Sequence, residues 1–328
     1  MSDQRFDLLN EWLSKVLPHS HFKVTAIIGD ASFRRYFRVQ YGQESYIAMD
    51  APPDKEDCRP FVAIARAFAK LNVQVPHIFA FDLEQGFLLL SDLGDNLYSN
   101  VLTADNVEQL YLKALADLTK IQACETIPNW DIPHFGKDFL EREWHLFQHW
   151  TVEKHWEKNL SVHEHYLLTD SFEILVNNSL SQPHVCVHRD YHSRNLLLLK
   201  DKAVGVLDFQ DAVWGPITYD AVSLLRDCYI DWPREQIEKL IHVFYEQCSL
   251  KHTSRDQFIY WFDLMGIQRH LKAIGIFSRL KHLYNRPNYL QYIPRGLNYV
   301  LQISENYNEL NQFRQFLLNV IPAKDAII

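Results

Sequence analysis

The stretch "HVCVHRDYHSRNLLLLKDKAVGVLDFQDAVWGP", residues 184–216, holds two acidic motifs, His188-Arg189-Asp190 and Asp208-Phe209-Gln210-Asp211, each bordered by an apolar run. "HVCV" reads as a short strand that delivers Asp190 into a loop. "LLLL" begins a second strand just after Asn195, and "AVGVL" is a third that ends at Asp208. The turn Lys200-Asp201-Lys202 is short enough to fold the last two back on each other as a hairpin. Asp208 then returns beside Asn195, with Asp190 on the adjoining loop. Two carboxylates and an amide oxygen converge, and hard oxygen donors suit Mg2+, which takes few protein ligands and completes its shell from water and phosphate. Either acid alone would read as an ordinary turn residue at a strand end. Two such motifs, with strand signals on both sides, read as a site.

The spacing is that of the H-R-D-x-x-x-x-N and D-F-G motifs of protein kinases, with "DFQD" in place of D-F-G. The chain resembles the aminoglycoside phosphotransferase/choline kinase family, the small-molecule branch of the protein-kinase-like fold, over nearly its whole length. His192, second after Asp190, matches a histidine frequent in that family. The resemblance implies an α+β, two-lobed fold: an N-lobe with a five-stranded antiparallel sheet and one helix, and a mainly helical C-lobe with a small β insert. It implies that Asp190 accepts or orients the proton of a substrate hydroxyl. Asn195 and Asp208 would hold Mg2+ on the phosphates of ATP, and Asp220 would brace the catalytic loop. Asp211 fits the metal, the substrate or a turn cap equally.

The rest of the chain is compatible with this plan. "VTAII" (24–28), "RYFRVQY" (35–41), "SYIAM" (45–49), "HIFAFD" (77–82) and "GFLLL" (86–90) are strand-like runs, interrupted by one helix that starts at Pro60. After "SDLGDN" (91–96) helical periodicity takes over: a helix capped at Thr103, then stretches near 137–156, 162–178 and through most of 218–320. The expected boundary puts a nucleotide-binding lobe at 1–92, with a hinge near 88–96, and a catalytic, substrate-binding lobe at 93–328. Backbone groups from Ser91 to Leu93 would meet adenine. A helix begins within about a dozen residues of Asp208, leaving no room for a peptide-docking segment, so the acceptor is a small molecule.

Two departures stand out. Met49 occupies the place of the strand lysine that pairs with phosphate, and the helix from Pro60 to Leu71 has no acid to be its partner. Arginine can do the same work through its bidentate fork. Arg34 and Arg38 share a strand face, and Arg35 is the weaker candidate. Gly29 is the single glycine in the loop between the first strands, and Ser32 with its backbone N–H groups could cradle phosphate.

The net charge of −8 excludes wholesale attraction to nucleic acid or an anionic membrane. Five scattered cysteines make neither a disulfide framework nor a zinc site, and indicate a reducing compartment. The N-terminus reads as an amphipathic helix (Phe6, Leu9, Leu13, Val16), not a signal peptide, and no apolar run reaches membrane-spanning length. A cytoplasmic protein follows, of open oligomeric state. For the acceptor, "GDASFRRYFRV", "MDAPPDKEDCRPF" and "GIQRHLKAIGIFSRL" resemble the cell-wall amino-sugar kinases within the family. That implies phosphorylation of the anomeric C1 hydroxyl of N-acetylmuramate or N-acetylglucosamine. Glu141, Glu143, Arg226 and Asp227 are the candidate sugar contacts, although each also fits a core or surface position at helical spacing. An aminoglycoside or another small alcohol is the rival acceptor, and a nucleotide-binding pseudokinase is the rival of a different class.

Overall fold

The computed structural model describes residues 3–18, 21–27 and 33–326. In chain order the elements are α1 (Gln4–Val16), β1 (Lys23–Ile27), β2 (Arg35–Tyr41), β3 (Glu44–Asp50), α2 (Arg59–Lys70), β4 (Ile78–Asp82), β5 (Phe87–Ser91) and α3 (Tyr98–Val101). There follow α4 (Val107–Gln122), α5 (Lys137–His145), a π-helix (Leu146–His155), α6 (Val162–Leu180), β6 (His184–Val187), β7 (Leu196–Leu198), β8 (Val204–Val206) and β9 (Val213–Pro216). The chain ends with α7 (Tyr219–Leu225), α8 (Arg234–Cys248), α9 (Arg255–Tyr284), α10 (Ile293–Ser304) and α11 (Asn311–Val320). They form two compact units. The first is Met1–Val101, Thr126–Asp131 and Arg194–Asp211, and the second is the remainder.

The first unit is built on an antiparallel sheet of order β1-β2-β3-β5-β4. Strand alternation gives it two different faces. Phe37, Val39, Ala48, Phe87 and Leu89 point one way, and Leu9, Trp12 and Leu13 of α1, with Leu17 just beyond it, bury them. A buried polar knot fastens the same edge: both Arg5 and Arg35 donate to Asp50, which is fully buried. On the other face stand Tyr36, Arg38, Ile47 and Leu90. Gly86 closes the turn between β4 and β5 at φ +73°, where an added Cβ would lie 1.9 Å from the Ala51 carbonyl oxygen. The helix α2 has Pro60 in its first turn and presents Phe61 and Phe68 to Phe209. The β7–β8 hairpin belongs to this unit: Val206 N–H donates to Gln74 and Leu198 N–H to Asn96.

The second unit is mostly helical around α9, whose thirty residues span about 45 Å. The helix predicted over 137–156 changes character halfway. Beyond His145 the turns widen, and Trp156 N–H reaches back five residues to Thr151. The backbone of Leu146 lies against Gly275, where a Cβ would meet the Leu146 carbonyl carbon at 2.4 Å. β6 pairs with β9, a strand the sequence reading missed because Gly215 and Pro216 disguise it. Thr103 is not the cap of α4. Asn106 holds that position and its side chain accepts from Thr103 N–H. All five cysteines are free thiols, and Cys58, Cys124, Cys186 and Cys228 are buried. Among the described residues, no helix is long and apolar enough to cross a membrane.

Candidate active site

The sheet face of the first unit that α1 leaves open lines a cavity of about 470 Å³. Of the predicted nucleotide and metal residues, Arg34, Arg38, Ser91, Leu93, Asn195 and Asp208 all border it. Ser32 lies outside the described residues. Asn195 and Asp208 meet because of register: Leu196 pairs with Val206, so the residues flanking the hairpin emerge at one end, and Leu207 N–H donates to the Asn195 carbonyl. Asp208 has φ +61°, a conformation that non-glycine residues rarely hold without cause. Gln210 Nε2 donates to Asp208 at 2.9 Å and to Asp211 at 3.2 Å. Among the described residues no three His, Cys, Asp or Glu side chains group as a metal site. One amide oxygen and one carboxylate therefore fit Mg2+, which draws its remaining ligands from phosphate and water, and do not fit a metal that needs a full protein cage.

The arginines separate cleanly. Arg34 donates Nη2 to Glu56 at 2.8 Å, and its Nη1 lies 3.8 Å from Asp208 Oδ1. Burial works against its charge, but Tyr36, Glu56, Asp211 and Asp208 together hold the guanidinium charged more firmly than usual. Met49 is fully buried opposite Tyr36 in the ladder. Arg38 borders the cavity but is held at 2.7 Å by Asp92 and by Asp95 next to the hinge, which removes it as the phosphate cation. Arg35 is engaged with Asp3 and Asp50 on the α1 face. Ser91 N–H donates to the His77 carbonyl and its hydroxyl accepts from His77 N–H, so adenine cannot use that N–H. Leu93, outside the strand, makes no backbone hydrogen bond among the described residues. Sequence reading missed Glu56. The expected partner of the strand lysine belongs on α2, which has no acid, and the acid that pairs with Arg34 lies just before that helix.

In the second unit the loop that carries Asp190 hangs from two carboxylates. Asp220, fully buried in α7, accepts from His188 N–H at 2.6 Å and Arg189 N–H at 2.9 Å. Asp227 accepts from Ser193 N–H at 2.9 Å and Tyr229 N–H at 2.8 Å. Arg189 takes φ +78°, and Tyr191, fully buried, donates its hydroxyl to Ala114. Between these anchors Asp190 keeps its side chain 37% exposed. Burial would raise its pKa, but Lys272, His192, Arg189 and Arg269 outweigh that and hold the carboxyl well below the usual range. Lys272 Nζ, from the middle of α9, lies 3.8 Å from Asp190 Oδ1, 3.4 Å from Glu143 Oε1 and 3.0 Å from the Tyr219 hydroxyl.

The four predicted sugar contacts disperse. Glu141 is exposed on α5. Glu143, two residues on and on the opposite side of the helix, is buried beside Lys272 and 3.6 Å from Arg189. Arg226 and Asp227 border a second cavity of about 410 Å³ with Arg234, Arg295 and Tyr299. There both oxygens of Asp227 are engaged with backbone, which makes it a second brace of the loop. Lys272 was the other residue missed. It lies 82 positions beyond Asp190 in a helix of uniform apolar and basic character, and only the fold brings the two together.

The phosphotransferase enzyme family matches residues 23–249. The N-acetylmuramate/N-acetylglucosamine kinase of Pseudomonas aeruginosa is 38% identical over 338 residues, 99% of both chains. Its counterparts in Pseudomonas putida and Neisseria meningitidis are 40% and 36% identical, covering 90% and 97% of this chain and 87% and 96% of their own. Among solved structures, choline kinase LicA from Streptococcus pneumoniae superposes with a TM-score of 0.63 at 12% identity, covering 94% of this chain and 99% of its own. ADP-bound aminoglycoside phosphotransferase APH(2'')-Ib gives 0.61 at 14%, with 92% and 97% covered.

Proposed function

Because the chain belongs to the phosphotransferase enzyme family, we propose that it transfers the γ-phosphoryl group of ATP to the anomeric C1 hydroxyl of N-acetylmuramate or N-acetylglucosamine. The observation that carries this is identity of 36–40% along nearly the whole chain to kinases named for those two sugars. The protein is a phosphotransferase acting on a small molecule. The sugar, the position on it and the residue roles are our reading.

In this reading ATP occupies the cavity of the first unit, with adenine toward Leu93 and the phosphates toward Arg34. Asn195 and Asp208 would hold Mg2+, which supplies charge neutralisation on the phosphates when bound. Arg34 adds a fixed cation, kept in place by Glu56. Asp190 accepts the proton of the attacking hydroxyl, and Asp220 and Asp227 hold its loop rigid. Positioning and electrostatics of this sort supply most of the catalysis in phosphoryl transfer.

The test is transfer from Mg·ATP to N-acetylmuramate, N-acetylglucosamine, kanamycin and choline, with the product read by phosphorus NMR. An anomeric phosphate on either amino sugar is expected. Transfer to kanamycin or choline instead would replace the acceptor. ATP binding with no transfer to any of the four would indicate a pseudokinase. The Arg34–Glu56 ion pair in place of the strand lysine and its helix glutamate argues for a working enzyme, since both members of the lost pair have a substitute. Asp190→Ala should abolish transfer, by about 10³-fold or more, and leave ADP affinity intact.

A further inference from the structure

We propose that Lys272 is a positioning residue of the transfer step: its ammonium, shared between Asp190 and Glu143, keeps the Asp190 carboxylate ionised and directed at the acceptor hydroxyl. This rests on the reading of Asp190 as proton acceptor. A lysine whose side chain is 8% exposed, in the middle of a helix, needs compensation for its lost hydration. Glu143, 5% exposed, gives it a counter-charge that Arg189 shares at 3.6 Å, and the Tyr219 hydroxyl gives it a further polar contact. A structural ion pair would be complete at that point. The same Nζ nevertheless sits 3.8 Å from Asp190 Oδ1, on a side chain far more open than its own.

The three-way arrangement has a chemical consequence. An ammonium with Asp190 as its sole counter-ion would pull the carboxylate into a tight contact pair and weaken it as a base. Glu143 draws Nζ closer than Asp190 does, so Asp190 feels the positive charge and stays open to a ligand. During transfer the acceptor oxygen forms its bond to phosphorus, the bond from phosphorus to the bridging oxygen of ADP breaks, and ADP leaves with the electron pair. The hydroxyl proton passes to Asp190, whose charge falls to zero. Lys272 then remains neutralised by Glu143, so no unpaired charge is stranded in the interior. The groups facing Asp190 are Lys272 and Arg269 from α9 and Arg189 and His192 from the loop; those facing Lys272 are Glu143 from α5, Tyr219 from α7, and Arg189 and Asp190 from the loop. Lys272 heads the cations that lower Asp190. Burial opposes its own charge, and Glu143, Tyr219 and Asp190 more than offset that.

The experiment compares wild type, Lys272→Arg, Lys272→Met and the double variant Lys272→Met/Glu143→Gln in the sugar-transfer assay across pH. Lys272→Met should lower kcat by about 100-fold with the KM for ATP within about twofold. The acid limb of kcat should move up by about one pH unit or more, as Asp190 loses its foremost cation. Lys272→Arg should keep the wild-type limb. The double variant removes one charge of each sign and leaves Arg189, 3.6 Å from Glu143, facing a neutral amide; folded, it should still show the displaced limb. A folded double variant with wild-type kcat and an unmoved limb would overturn the proposal. So would a wild-type acid limb lying above the ordinary aspartate range, which requires no variant to fold. Wild-type failure to phosphorylate any sugar would instead remove the functional reading beneath it.

Discussion

Met49 is fully buried on the β3 face where a kinase strand offers lysine, and Arg34, just before β2, lines the cavity. Its guanidinium bridges Glu56 and the edge of Asp208, so in the proposed site one residue would do the work of the strand lysine and reach the acid proposed to hold Mg2+. Arg34→Ala should raise the KM for ATP by about tenfold or more, the scale of one lost charge-assisted contact. Met49→Ala should leave that KM nearly unchanged and lower stability instead, since it only empties core volume. Equal effects on KM from the two variants would remove Arg34 from the phosphate site. The sequence exposed Asp190, Asn195 and Asp208 because their spacing is local and is imposed by a hairpin. It left Arg34 and Arg38 level, because alternation sets which face a side chain takes and says nothing of its partner. Asp92 and Asp95 decide that choice, across 54 and 57 positions of chain.

Secondary structure was legible wherever a single period ran unbroken. Five N-terminal strands, α2, α4 and α6 lie within a few residues of their expected places. The misses have local causes. β9 is short and ends in Gly-Pro, and the π-helix keeps an ordinary helical pattern in sequence while its hydrogen bonds reach one residue further. Gly275 shows how closely these elements depend on one another, because the backbone of Leu146 occupies the space of its missing side chain. Gly275→Ala should destabilise the protein by about 2 kcal/mol, even though alanine is the better helix former in isolation. A thermal melt checks this. An unchanged or raised midpoint would mean that the π-helix is not held in place by this approach.

For the protein in its entirety, buried histidines and paired carboxylates set the response to acid. Asp92 is lowered on balance: burial opposes the shift, and the Ser45 hydroxyl and Arg38 outweigh it. Asp325 is lowered too, against burial, by His155 and Trp156. Glu164, in the capping box of α6, is lowered to about 2 by the Ser161 backbone and by Lys158. A group with a depressed folded pKa adds stability that is complete above its unfolded pKa and disappears as pH falls through the folded value. For Glu164 that window runs from the ordinary glutamate value of 4.5 down to about 2. Burial lowers His270 to about 3, and lowers His184 and His282 as well, so their contribution starts to be lost as pH falls below the ordinary histidine value of 6.5. Unfolding free energy should therefore begin to decline below about pH 6.5 and steepen below about pH 4.5, as denaturant titrations at stepped pH would reveal. A level course down to pH 4.5 would mean that the buried histidines do not contribute.

The scattered cysteines have a use of their own. Cys58 lies within the first compact unit, and Cys124, Cys186 and Cys228 within the second, all four out of reach of solvent. A bulky alkylating reagent can modify them only when the surrounding structure opens, so the molecule carries its own clock for local unfolding. Pulse labelling followed by peptide mass spectrometry would give one opening rate for Cys58 and another for the other three. Nucleotide added beforehand should slow Cys58 first, because α2, which follows it directly in the chain, forms part of the cavity through Phe61.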